Sequence, residues 1–115
     1  MIKVIIVDDE PQARIVLKVL LEEYADEIQI VGEAASAKEG IELIKTQKVD
    51  LVFLDIEMPY MDGFGMLRQF ETINFDVVFT TAYSQYAIDA IKFSALDYLL
   101  KPIDIDELKA SIKRF

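Results

Sequence analysis

Short apolar runs alternate along the chain with segments whose apolar residues recur every three or four positions. The runs occupy residues 4–7, 28–31, 52–54, 77–79 and 98–100 and are typical of buried strands. Helical spacing between and after them indicates five helices. Strands that alternate with helices predict a parallel sheet, and continuous apolar runs require helices on both faces of that sheet. The pattern therefore predicts a three-layer α/β domain.

Local signals indicate where the helices begin. The first helix begins at Pro11, whose fixed φ suits the first helical position, and the second follows a Ser36-x-x-Glu39 capping box. Asp104 is the predicted N-cap of the last helix. The spacing of apolar residues also predicts which of them are buried. In the first helix these are Ala13, Val16, Leu17, Leu20 and Tyr24, and in the second they are Ile41 and Ile44. In the third helix they are Met66, Leu67, Phe70 and Ile73, and in the last they are Ile105, Leu108, Ile112 and Phe115.

The fourth helix, residues 85–93, has a thinner apolar stripe than the others and is expected to be the least firmly held. The stripe consists of Ala87, Ile88 and Ile91. Aromatic residues lie near it, and they fit either core positions or a surface that binds a partner: Tyr83, Tyr86 and Phe93.

Length and composition narrow the class of protein. A chain of 115 residues with 53% hydrophobic residues fits a single domain. Because the sequence contains no Cys and no His, any metal must be bound by oxygen. The net charge of −9 argues against direct binding to nucleic acid. Without a leader or a long apolar stretch, the chain is expected to be soluble, cytoplasmic and not bound to membranes.

Acidic residues follow two of the buried strands. Asp8 and Asp9 come after the first run and Asp55 after the third. In a parallel sheet these strand ends meet in one crevice, where open α/β folds bind ligands. Three carboxylates within about 4 Å would repel by about 4 kcal/mol per pair, so either protons are shared or a divalent cation binds. Carboxylate ligands suit Mg²⁺ best, and we expect this ion as the cofactor.

Such a site supports phosphoryl transfer to a carboxylate. Asp55 is the predicted nucleophile, because it ends the central buried strand, and the backbone carbonyl of Glu57 is a further candidate ligand for the metal. Lys101 and the Thr81 hydroxyl are candidates to bind phosphoryl oxygens. Thr80 is a competing hydroxyl, but neighbouring strand residues point to opposite faces of the sheet.

The chain resembles a known protein family over essentially its whole length, and the resemblance rests on motifs at the polar ends of the strands. Residues 7–10, 54–63, 81–82 and 97–102 (VDDE, LDIEMPYMDG, TA and DYLLKP) resemble, in order, the motifs of the CheY-like receiver domain of two-component response regulators. The resemblance implies a flavodoxin-like, doubly wound fold with five parallel strands in the order 2-1-3-4-5. It further implies a single receiver domain over residues 1–115 and a sensor histidine kinase as partner.

The same resemblance assigns roles to individual residues. Asp55 accepts the phosphoryl group, and Mg²⁺ is bound by Asp55 itself, by the Glu57 carbonyl and by the acids of the first strand, Asp8 and Asp9. Thr81 and Tyr98 form the conformational switch. Lys101 pairs with the phosphoryl group and precedes a cis peptide bond to Pro102. The domain supports only its own phosphorylation and dephosphorylation and is otherwise not an enzyme.

Residues 79–87 and 95–102 are similar to receivers joined to LytTR-type DNA-binding domains. This similarity implies a longer parent protein with a DNA-binding output domain that regulates transcription. The face formed by the fourth helix, fifth strand and fifth helix is a possible homodimer surface. Alternative hypotheses are a haloacid-dehalogenase-type phosphatase and a degenerate receiver that acts only as an interaction module.

Two residues near the site are predicted to tune the lifetime of the phosphoryl group. Glu57 lies two positions after the nucleophile, and Tyr83 lies two positions after the switch threonine. A carboxylate and a bulky ring at these positions should obstruct the attacking water, so we expect slow self-hydrolysis.

Overall fold

Five parallel strands form one sheet in the order β2-β1-β3-β4-β5 in a computed structural model that describes residues 1–115. The strands are β1 (Ile2–Val7), β2 (Ile28–Ala34), β3 (Leu51–Asp55), β4 (Asp76–Thr81) and β5 (Asp97–Leu100). The helices are α1 (Pro11–Tyr24), α2 (Ala37–Thr46), α3 (Gly63–Arg68), α4 (Ala87–Lys92) and α5 (Ile105–Arg114), and a 3₁₀ turn at Ser84–Tyr86 leads into α4. The predicted fold class and strand order are confirmed.

Two hydrophobic cores lie on opposite faces of the sheet. Successive strand residues point to opposite faces, so β1, β3 and β4 each contribute side chains to both cores. One core packs against α2, α3 and α4 and the other against α1 and α5. Both faces of the central strands are therefore buried, as the continuous apolar runs predicted.

Side-chain caps fix the starts of three helices. The Ser36 hydroxyl accepts a hydrogen bond from the Glu39 amide at 3.2 Å, and this confirms the predicted cap of α2. Asp104 accepts from the Glu107 amide at 3.0 Å at the start of α5, also as predicted. Asp62 caps α3 in the same way. These caps fix where the helices begin relative to the carboxyl ends of the strands.

The predicted buried face of α1 is partly wrong. Val16 and Tyr24 are 46% and 49% exposed, whereas Leu21, which was not selected, is completely buried beside Leu17. The helix packs on a narrow strip of the sheet, so only its innermost residues are covered. Lys109 lies over the Tyr24 ring with its Nζ 5.1 Å from the ring centroid, at the surface of the domain.

The predicted stripe of α4 is wrong as well. Ile88 and Ile91 are 71% and 74% exposed, Ala87 is also exposed, and Ala90 is the residue that enters the core. The helix has only six residues, and its rotation follows the contact of Ala90 with the core rather than the larger side chains. In α3 the helix ends at Arg68, so Ile73 lies beyond it and is exposed.

Candidate functional site

The carboxyl ends of four strands meet at one edge of the sheet. Strand register pairs Val7 with Leu54, and Thr81 with Leu100, so the residues that follow these positions are neighbours. β3 ends at Asp55, which is itself paired with Thr80. The sheet therefore places the predicted acids, hydroxyl and lysine in the same crevice.

Four carboxylates form a cluster in this crevice. Asp8, Asp9, Glu10 and Asp55 each offer an oxygen, and these oxygens lie within 4.8 Å of one another. Three of these residues were predicted from the sequence, but Glu10 was not. Its signal was its place as the third acid of the run after β1, and a hydrogen bond of 3.0 Å from its amide to Asp8 Oδ1 turns the chain there.

Lys101 provides the positive charge of the site. Its Nζ lies 2.8 Å from Asp8 Oδ2, 3.5 Å from Glu10 Oε1 and 3.7 Å from Asp55 Oδ1. Burial opposes the charge of the ammonium group, but the hydrogen bond to Asp8 and the neighbouring carboxylates outweigh it and raise the pKa of Lys101. The lysine is therefore charged at neutral pH. Its peptide bond to Pro102 is cis.

The pKa of the Asp55 carboxyl group is strongly raised. Burial and the negative charge of Asp8 raise its pKa from 3.8 to about 7, with a smaller contribution from Asp9, although Lys101 acts in the opposite direction. One lysine thus does not neutralise the cluster. A set of four carboxylates with too little positive charge fits a small divalent cation that prefers oxygen ligands, and Mg²⁺ has this preference.

The loop after Asp55 depends on a close backbone approach at Gly63. The Gly63 amide donates a hydrogen bond of 2.8 Å to the carbonyl of Ile56, which folds the loop back onto the end of β3. A Cβ at position 63 would lie only 2.6 Å from the backbone oxygen of Asp55. The loop therefore keeps its path only with glycine at this position.

Gly63→Ala is expected to lower the free energy of unfolding by about 1–3 kcal/mol, because the added methyl group meets rigid backbone. Gly65→Ala is the matched control. Its Cβ would meet the side chain of Met61 at 3.0 Å, which can move, and alanine favours the helix. Urea unfolding of both variants measures the difference, and equal losses would contradict the role assigned to Gly63.

Thr81, Tyr98 and Tyr83 form a small network beside the acids. The buried Thr81 hydroxyl accepts a hydrogen bond of 3.2 Å from the Tyr83 amide. The hydroxyl of Tyr98 donates a hydrogen bond to the backbone carbonyl of Tyr83. The competing Thr80 is also buried but points to the opposite face of the sheet, where it borders a groove with Lys101 and α1. Two side chains thus hold the loop between β4 and α4.

The carboxylate of Glu57 is not part of the acid cluster. Its side chain is exposed, and its carboxylate accepts a hydrogen bond of 2.9 Å from the hydroxyl of Tyr86. Its backbone belongs to the loop that follows Asp55, in keeping with its proposed role as a carbonyl ligand. The sequence had left Tyr86 open between a core and a surface role, and this contact was not predicted.

Comparison with known proteins adds to this geometry. A family model described as the response regulator receiver domain matches residues 4–113. The chain is 47% identical over 115 residues to the transcriptional regulatory protein BtsR of Escherichia coli K12, covering 99% of this chain and 48% of that protein. It is 45% identical to an uncharacterized response regulatory protein of Vibrio vulnificus, with coverage of 99% and 47%.

Solved structures show the same fold. The response regulatory domain of protein mrkE from Klebsiella pneumoniae matches with a TM-score of 0.88 and 30% identity, covering 98% of this chain and 93% of that one. The receiver domain of AraT from Geobacillus stearothermophilus matches with a TM-score of 0.86 and 32% identity, covering 97% and 91%.

The fold and the matched family define the class: the chain belongs to the response regulator receiver domain family of two-component systems. The chain spans about half the length of the curated relatives it matches. None of its helices combines the length and the apolar character that a membrane span requires.

Proposed function

We propose that this receiver takes a phosphoryl group onto Asp55 from a phosphohistidine of a sensor histidine kinase. The observation that carries the proposal is the contact set of Lys101, whose ammonium group lies within 4 Å of Asp8, Glu10 and Asp55 in one crevice. A nucleophilic carboxylate, a fixed cation and further acids for a metal are the groups that phosphoryl transfer to aspartate requires.

The reaction forms one bond and breaks one bond. An oxygen of ionised Asp55 attacks phosphorus, the phosphorus–nitrogen bond of the donor breaks, and the electron pair leaves with the imidazole, which takes up a proton. Lys101 binds a phosphoryl oxygen and balances the charge that reaches the carboxylate. Asp8, Asp9, Asp55 and the Glu57 carbonyl would hold Mg²⁺, which supplies Lewis-acid neutralisation of the phosphoryl oxygens.

Phosphorylation changes the contacts of Thr81. We infer that its hydroxyl leaves the Tyr83 amide to bind a phosphoryl oxygen, which frees one of the two bonds that hold the loop before α4. Tyr98 then moves with the loop, so Thr81 and Tyr98 form a two-state element. The difference in contacts between the two states supplies the free energy of the switch.

We further propose that the output is transcriptional and belongs to a longer protein with a LytTR-type DNA-binding domain. A transcriptional output in a longer protein is supported by two observations: BtsR is named a transcriptional regulatory protein, and this chain spans about half its length. The LytTR type rests on the similarity of residues 79–87 and 95–102 alone. The face of α4, β5 and α5 exposes Ile88, Ile91 and Leu100, which supports a phosphorylation-dependent homodimer there.

The proposal is tested by incubating the chain with Mg²⁺ and acetyl phosphate and measuring its intact mass over time. One phosphoryl group for each chain, lost slowly after removal of the donor, is the expected result. Absence of uptake would identify a degenerate receiver that acts only through interactions. Rapid turnover of added phosphate esters would instead support the phosphatase hypothesis, which the family match does not favour.

Glu57→Asn combined with Tyr83→Ala is expected to shorten the lifetime of the phosphoryl group by about three- to tenfold. Both side chains are exposed, and each lies two residues after a proposed site residue, so their replacement by smaller, uncharged groups is expected to ease the approach of water. A time course of phosphate release measures the lifetime. An unchanged rate would contradict the role of these residues.

A further inference from the structure

The contact between Tyr86 and Glu57 joins the acceptor loop to the start of α4. These residues are 29 positions apart, and their side-chain hydrogen bond measures 2.9 Å. Glu57 lies two residues after Asp55, yet its carboxylate is not part of the cluster formed by the other four acids. The tyrosine therefore holds a fifth carboxylate at the border of the site.

The position of the Tyr86 hydroxyl is fixed by its ring. The ring packs edge-on against Phe64, with 6.1 Å between centroids, and perpendicular to Tyr83 at 6.4 Å. Phe64 is buried and stacks on Phe93 at 5.3 Å. The hydrogen bond to Glu57 raises the pKa of the Tyr86 phenol, so the phenol remains a donor at neutral pH.

We propose that Tyr86 is a positioning residue for the phosphorylation of Asp55: its hydroxyl holds the Glu57 carboxylate toward α4 and out of the path of the anionic phosphoryl donor. The inference rests on the proposed function. The hydrogen bond between Tyr86 and Glu57, which was not predicted from the sequence, would thus assist the entry of the phosphoryl donor.

The physical reason is the charge of the reactants. A phosphoryl donor such as acetyl phosphate is an anion, and it approaches a crevice that already contains four carboxylates and one lysine. A released Glu57 carboxylate would add a mobile negative charge near that path. At a separation of several ångströms in a solvated site, such repulsion slows association by about three- to tenfold.

The test compares initial rates of Asp55 phosphorylation by acetyl phosphate, followed by intact mass, in Tyr86→Phe, Glu57→Gln and the double variant. Tyr86→Phe retains the ring and removes only the hydroxyl, whereas Glu57→Gln retains an acceptor and removes only the charge. Tyr60→Phe is the matched control, because Tyr60 is fully exposed in the same loop as Glu57 and its hydroxyl makes no hydrogen bond to the protein.

We expect Tyr86→Phe to slow phosphorylation by about three- to tenfold at low salt and by less than about twofold at 0.5 M salt, where the charge is screened. In the Glu57→Gln background, removal of the hydroxyl should leave the rate unchanged. Tyr60→Phe should match the parent chain at both salt concentrations.

Three results would overturn the inference: an unchanged rate in Tyr86→Phe, an equal loss with Gln at position 57, or a loss insensitive to salt. In each of them the parent chain is still phosphorylated, so the proposed function stands. Failure of the parent chain to take up a phosphoryl group would overturn the proposed function itself, and the inference with it.

Discussion

Replacing Asp55 by Asn is expected to abolish phosphoryl uptake from acetyl phosphate, with a loss of at least about 10³-fold. The amide retains the size of the carboxyl group but lacks a nucleophilic oxygen of comparable strength. Asp8, Asp9 and Glu10 lie in the same crevice, but Lys101 contacts Asp8 at 2.8 Å and leaves Asp55 less tightly paired, at 3.7 Å. Asp55 is the proposed acceptor because it ends the central buried strand β3.

Asp26→Asn is the matched control for this experiment, because Asp26 is an exposed residue between α1 and β2, far from the acid cluster. It should take up one phosphoryl group like the parent chain. Intact mass and peptide mapping after acid quenching locate the modified residue. Retention of uptake in Asp55→Asn would show that a neighbouring acid accepts the group and would refute the assignment.

The same substitution is expected to stabilise the protein at neutral pH by roughly 2–4 kcal/mol in buffer free of divalent cations. Burial and Asp8 raise the pKa of Asp55 to about 7 in the folded chain, compared with 3.8 for an ordinary aspartate. Between these values the folded chain binds a proton that the unfolded chain has released. The stability of the parent chain therefore falls as the pH rises through this interval.

Asn carries no charge at any of these pH values, so the advantage of Asp55→Asn should be near zero at about pH 4 and complete above about pH 7. Urea unfolding at a series of pH values, with EDTA present, measures it. Asp26→Asn, measured in parallel, is the control for removing a carboxyl group outside the acid cluster. A flat curve for Asp55→Asn would mean that the carboxyl group is not destabilised by its surroundings.

The strands were predictable because their signal is local. Apolar runs such as Val4 to Val7 are long enough to identify a strand buried on both faces, and every run except that at residues 28–31 is followed by a polar residue. Parallel pairing then brings those ends together without further information. This is why the sequence predicted the crevice and the proximity of Asp8, Asp55 and Lys101.

Helix rotation was less predictable because it depends on tertiary packing. In α4 the sequence favoured Ile88 and Ile91, but the small Ala90 is the residue that fits against the core. A helix of six residues has too few positions for periodicity to determine its orientation. The longer helix α1 has a different difficulty, because it carries large apolar side chains on more than one side and only part of them, Leu17 and Leu21 among them, are buried.

Contacts between loops could not be predicted at all. The hydrogen bond from Tyr86 to Glu57 joins two loops whose relative position is set by α3 and by the ring of Phe64. Neither residue shows a periodic pattern that would reveal its partner. Glu10 differs, since it directly follows two predicted metal ligands, and its adjacency was a usable signal.

The candidate site is built from residues that are far apart in the chain, and the ammonium group of Lys101 reaches Glu10 across 91 positions. During synthesis on the ribosome, Asp55 emerges well before β5 and α5 have been made. A nascent chain thus exposes the proposed acceptor aspartate without its cation and without the last strand of its sheet. The proposed phosphorylation of Asp55 therefore requires a chain that has been synthesised and folded at least as far as Lys101.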